Sequence, residues 1–149
     1  MQPPVMSAEE IDRLLRVEFP EGFNDASGLS IERVSGGGCV VRQAYRERFV
    51  RPGGTISGPT MMALADFAMY VAVLGAIGPV PLAVTTNLTI NFLRRPRPQD
   101  LVAEARLLKL GARLAVGEVA IRSIGEDELA AHATLTYSIP PRTGEAADA

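Results

Sequence analysis

The sequence predicts an α+β fold, a curved antiparallel sheet wrapped around one long central helix, and three observations carry that expectation. The stretch from Met61 to Leu74 is apolar almost without interruption, while the segments after it alternate apolar and polar residues with the period of strands. Two strand-like segments precede the apolar stretch and four follow it, without the regular strand–helix alternation of a parallel sheet. A helix that is apolar nearly all round has to be covered, and only the sheet offers enough surface to cover it.

Composition narrows the class further. At 149 residues, 47% hydrophobic and 21% charged, the chain reads as one folded domain spanning residues 1–149. A formal net charge of -2 gives no electrostatic footprint for nucleic acid. Cys39 is the only cysteine and His132 the only histidine, so neither an intramolecular disulfide nor a zinc ligand cluster is available, and no metal or cofactor is expected. The first ten residues lack the basic start and apolar run of a secretory signal, and a cytoplasmic location is expected. A membrane span over residues 56–82 is disfavoured by Asp66 in its middle, by breaks at Gly58-Pro59, Gly75, Gly78, Pro79 and Pro81, and by a clean helical part too short for a bilayer.

Each element has its own signal. Ser7-Ala8-Glu9-Glu10 has the spacing of a capping box, and Ile11, Leu14, Leu15 and Phe19 recur at helical intervals until Pro20 and Gly22, giving a helical segment within residues 1–24. Residues 28–35 and 38–45 read as a hairpin turned by Ser35-Gly36-Gly37-Gly38. The turn from Gly53 to Pro59 leads into the long helix, with Pro59 suited to its first position. In Thr85 to Phe92, Leu88, Ile90 and Phe92 form one row and Thr85, Asn87, Thr89 and Asn91 the other. That polar, uncharged row suits a wet contact between subunits better than an open sheet edge, so a homodimer or homotetramer is expected. Residues 101–110, 114–124 and 128–139 read as three further strands, and 140–149 as a loose tail.

Chemistry points first to Asp66, the single formally charged side chain between Pro52 and Leu93. A carboxylate on a buried helix is costly unless it is paired, hydrated or used, and no basic residue lies near it in sequence. Met62, Met69 and Tyr70 are its neighbours at helical spacing, and poor hydration among them would make it a stronger base. Ser57 is placed to cap the helix, Cys39 to fill core, and His132 to lie on a surface or interface of the last strand.

The runs Gly54-Thr-Ile-Ser-Gly-Pro-Thr-Met-Met-Ala-Leu-Ala-Asp66 and Val84-Thr85-Thr-Asn-Leu-Thr-Ile-Asn-Phe-Leu-Arg-Arg-Pro96 together resemble the hotdog-fold acyl-CoA thioesterases of the PaaI type. The resemblance covers residues from about Gly28 to Tyr137. It implies a hotdog fold and hydrolysis of an acyl-CoA thioester to the free acid and coenzyme A, without a further cofactor. By motif position it implies Asp66 as general base or nucleophile, the Gly58 N–H as donor to the thioester oxygen, and Thr85 as an assisting hydroxyl. It further implies that Arg94 and Arg95 hold coenzyme A phosphates, and that Arg51 and Ser57 stand where many members carry an amide side chain and a histidine; Met62, Met69 and Tyr70, beside Asp66, are the expected substrate contacts, with Met69 either filling core or lining an adaptable acyl pocket. Within one helix Gly58 and Asp66 are about 12 Å apart, at a rise of about 1.5 Å per residue. The resemblance implies that two subunits each lend one half of the site. With Arg51 and Ser57 at those positions, a non-catalytic acyl-CoA or small-ligand binding protein is the alternative reading.

Overall fold

The computed structural model describes residues 2–141, so the expected tail lies outside the described residues from position 142 onward. Helix α1 (Ala8–Glu18) starts at the predicted capping box: Ser7 Oγ accepts the Glu10 N–H, and the Glu10 carboxylate accepts the Ser7 N–H. It buries Ile11 and Leu15 and stops at Glu18, so Phe19 caps it as a half-exposed residue. Phe23, a few residues later, is fully buried and stacks on Phe67 at 5.3 Å between ring centroids.

The strands are β1 (Leu29–Ser35), β2 (Gly38–Gln43), the two-residue β3 (Val50–Arg51) and β4 (Thr55–Ile56), then β5 (Val84–Phe92), β6 (Leu101–Leu110), β7 (Leu114–Ser123) and β8 (Ala131–Ser138). Between β4 and β5 runs α2 (Gly58–Ile77), 20 residues long. Six strands form one sheet in the order β1-β2-β6-β7-β8-β5, antiparallel at every pairing. The small pair β3–β4 was not foreseen; it staples the turn that leads into α2.

α2 crosses the inner face of the sheet, chiefly over β6, β2 and β7. The inward residues of those strands are small, Ala103 and Ala105 on β6 and Ala115 and Gly117 on β7, which lets the helix sit close. At Gly117 the approach is close: a Cβ there would lie 2.6 Å from Met69 Sδ and 3.0 Å from the Arg106 carbonyl oxygen. Leu64, Ala65, Ala68, Met69, Val71, Ala72, Val73 and Leu74 are all shielded from solvent. At 20 residues α2 is long and apolar enough to cross a membrane by length and composition, longer than the sequence suggested, and the sheet and α1 cover most of it.

Two expectations are corrected. Gly58, not Pro59, opens α2, a one-residue shift that leaves Pro59 still in the first turn, where its missing N–H costs nothing. β5 does not alternate throughout: it pairs Thr85 with Tyr137 but Asn87 with Thr136, so a bulge falls at Thr86. The extra residue moves Thr85 out of the row of Asn87, Thr89 and Asn91 and turns it to the helix side, with Leu88. β5 is an edge strand, and Asn87, Thr89 and Asn91 are exposed on it.

Candidate active site

Asp66 lies on the face of α2 turned to the junction of β5 and β8, where the bulge brings Thr85 beside it. Thr85 Oγ1–H donates to Asp66 Oδ1 at 2.5 Å, and the Tyr137 hydroxyl donates to the same oxygen at 2.7 Å. Oδ2 accepts no hydrogen bond among the described residues, and no cation pairs with the carboxylate there. Two hydroxyls therefore fix the rotamer and occupy one oxygen, leaving the other available. Burial, and then the negative charge of Asp66, push the Tyr137 phenol far above its ordinary value, so it stays a donor at any physiological pH.

The carboxylate opens on a cavity of about 430 Å³ whose walls are mostly apolar. Phe67, Tyr70, Pro81, Ala83 and Val84 line it together with Phe19, Gly22 and Leu29 from before the helix. Tyr70 donates its hydroxyl to the Pro81 carbonyl at 2.6 Å and stacks on Tyr137 at 6.2 Å, which fixes the cavity wall beside Asp66. Burial, with Glu18 nearby, raises the Tyr70 phenol as well.

The N-terminus of α2 is a separate site. Ser57 caps it, its Oγ accepting the Thr60 N–H at 3.3 Å, and the Ser57 carbonyl accepts the Met61 N–H. Pro59 has no N–H. Of the donors in the first turn, Gly58 N–H is thus the one without a hydrogen bond among the described residues. It does not line the cavity that holds Asp66; its neighbour is Phe92, whose ring would be 3.2 Å from a Cβ at position 58.

Of the residues expected at the site, the structure brings together Asp66, Thr85 and Tyr70. Ser57 and Gly58 sit two helical turns away. Met62 is 40% exposed near the start of α2, and Met69 is fully buried against Gly117 on the sheet side, so neither borders the cavity. Arg51 is exposed in β3 at the hairpin leading into the helix. Arg94 pairs with Glu128, while Arg95 is exposed and makes no ion pair among the described residues. His132 lies on the outer face of the sheet, its Nε2 2.9 Å from Glu118 Oε1, remote from the cavity. Cys39 is buried; its thiol donates to the Ala68 carbonyl, and burial pushes its pKa up to about 12.

Sequence reasoning missed Tyr137 and Phe19 as site residues. For Tyr137 a signal existed, since its alternation along β8 turns it inward with Leu135. Its pairing opposite Thr85 depends on the bulge, which alternation alone does not reveal.

An antiparallel sheet wrapped around a buried helix is the hotdog fold, and here that helix carries a carboxylate into an apolar cavity. The sequence profile of the Thioesterase superfamily matches residues 53–137, more than half of the chain. A crystal structure from Silicibacter sp. TM1040, provisionally named a thioesterase, is 42% identical and superposes with a TM-score of 0.83 over 93% of this chain and 94% of that one. The phenylacetic acid degradation protein PaaI of Thermus thermophilus, solved as a mutant, is 28% identical with a TM-score of 0.69, covering 80% of this chain and 98% of that one. A curated protein of Saccharolobus solfataricus, provisionally named an esterase, is 29% identical over 136 residues, 91% of this chain and 87% of that one. The chain belongs to the thioesterase superfamily, with a PaaI-like hotdog fold, and is a thioester-hydrolysing enzyme.

Proposed function

We propose that the enzyme hydrolyses acyl-CoA thioesters with Asp66 as general base or nucleophile and the Gly58 N–H of a second subunit as the oxyanion donor. The observation that carries this reading is the Asp66 carboxylate itself: held by two hydroxyls on Oδ1, unpaired by any cation among the described residues, and lining an apolar cavity. As base, Oδ2 takes a proton from water while the oxygen attacks the thioester carbonyl carbon. The oxyanion that forms is met by the Gly58 N–H at the positive end of the helix dipole; its collapse breaks the C–S bond, and the departing thiolate of coenzyme A takes the proton from Asp66, which regenerates the carboxylate.

Gly58 and Asp66 of one chain cannot meet one carbonyl, because eight residues of helix separate them by about 12 Å. A homodimer or homotetramer supplies the missing half, and the exposed polar edge of β5, with Phe92 at its end, suits such a contact. In this reading coenzyme A phosphates are met by Arg95 and, once it exchanges its Glu128 partner, by Arg94, both of which follow β5 in the chain. The reading calls on no metal or cofactor and places the activity in the cytoplasm.

The test is release of free thiol from a panel of acyl-CoA esters by the wild type and Asp66→Asn. The variant is expected to lose about 10²–10⁴-fold in kcat, the usual contribution of a positioned base or more. Equal turnover by both would overturn the assignment.

A further inference from the structure

We infer that Phe19, in the segment following α1, is the end wall of the acyl pocket and sets the length of acyl group the enzyme accepts; the inference rests on the placement of the reacting carbonyl at Asp66. The cavity follows one face of α2, past Asp66, Phe67 and Tyr70. Tyr70 lies one turn beyond Asp66, about 6 Å along the helix axis. There the Phe19 ring meets Tyr70 edge-on, with centroids 6.3 Å apart and planes at 78°.

Gly22, which borders the cavity beside Phe19, also fixes the ring. A Cβ on Gly22 would lie 2.1 Å from Phe19 Cζ, so the ring fills the space that any side chain at position 22 would need. Seated between Gly22 and Tyr70 and 42% exposed, Phe19 is the partition between cavity and solvent. An acyl chain whose carbonyl sits at Asp66 runs apolar along Phe67 and Tyr70 and meets that partition after roughly one helical turn. Short acyl groups are enclosed; longer ones collide with the ring. The wall also comes from outside residues 53–137, the part of the chain that matches the superfamily.

The experiment compares kcat/KM over a straight-chain acyl-CoA series from acetyl to myristoyl for the wild type, Phe19→Ala and Phe19→Trp. Thermal melts confirm folding, which an exposed position should preserve. Removing the ring is expected to move the optimum to longer chains and to raise the long-to-short ratio by about tenfold or more, the scale of one or two methylenes in an apolar pocket. The larger indole should move the optimum to shorter chains. Calorimetric binding of the same series, with each Phe19 change placed in the Asp66→Asn background, should show the same displacement without turnover. Profiles of both variants that superimpose on the wild type in turnover and in binding overturn the inference, while an inactive Asp66→Asn leaves the catalytic assignment standing. If instead Asp66→Asn turns over normally, the catalytic assignment fails, and the shifted profiles still identify the wall.

Discussion

Tyr137 holds the Asp66 carboxylate through its hydroxyl. Its hydroxyl and that of Thr85 converge on Asp66 Oδ1, which leaves Oδ2 without a hydrogen bond among the described residues. Tyr137→Phe keeps the ring stack on Tyr70 and deletes one donor, so kcat should fall by about tenfold, equivalent to about 1.4 kcal/mol, while KM stays near its wild-type value. Steady-state kinetics on one good substrate decide it; a change confined to KM would mean that the phenol binds substrate instead. Cys39 gives a complementary expectation. With its thiol buried and raised to about 12, it should resist alkylation by iodoacetamide at neutral pH, and activity should survive the reagent.

Elements are held by a few specific contacts. Asp100, at the entrance to β6, accepts the Tyr45 N–H at 2.8 Å and two donors of Arg42, which together tie β2 to β6 at that end. The backbone N–H first, and the Arg42 guanidinium after it, lower the Asp100 pKa below the ordinary carboxylate value. A depressed carboxylate contributes stability that is present above its unfolded value and is lost as pH falls through the folded one. Asp100→Asn should therefore cost about 1–2 kcal/mol near neutrality and flatten the acid limb of stability against pH, measured by denaturant titration across that range. On the opposite side of the packing problem, Gly117→Ala drives a methyl against Met69 and the Arg106 carbonyl. It should destabilise the fold by about 1–3 kcal/mol, because a rigid strand and a buried helix leave it no room. α2 also shows why apolarity alone misleads: the property that qualifies it as a membrane span is the same one that buries it, and the small residues of β6 and β7 decide between the two.

At the scale of the whole molecule, the prediction concerns the proposal that two subunits share one site. Gly58→Pro deletes the N–H at a position where proline fits, since Ser57 is already extended at φ -71° and ψ 153° and the first helical residue needs no donor for the helix itself. It should lower kcat by about a hundredfold or more, while Gly58→Ala, which keeps the N–H and only presses on the exposed Phe92, should lose far less. Refolding Gly58→Pro together with Asp66→Asn should then restore about a quarter of wild-type activity, because half of randomly formed dimers are mixed and each of those has one intact site. No recovery on mixing would rule out a site built from two chains.

The order of elements, the capping box of α1, the identity of the central helix and the singular position of Asp66 were legible in the chain itself, because periodicity, end signals and an isolated charge are local properties. The resemblance of residues 54–66 and 84–96 supplied the family. What only the tertiary structure decided were the relations between distant segments. The bulge at Thr86 set which hydroxyl faces the acid, the register of β5 on β8 brought Tyr137 beside it, and the return of the chain after α1 placed Phe19 against Tyr70. The physical reason is that a one-residue change of register reverses a strand's faces, and packing contacts between residues far apart in sequence leave no periodic trace in either of them.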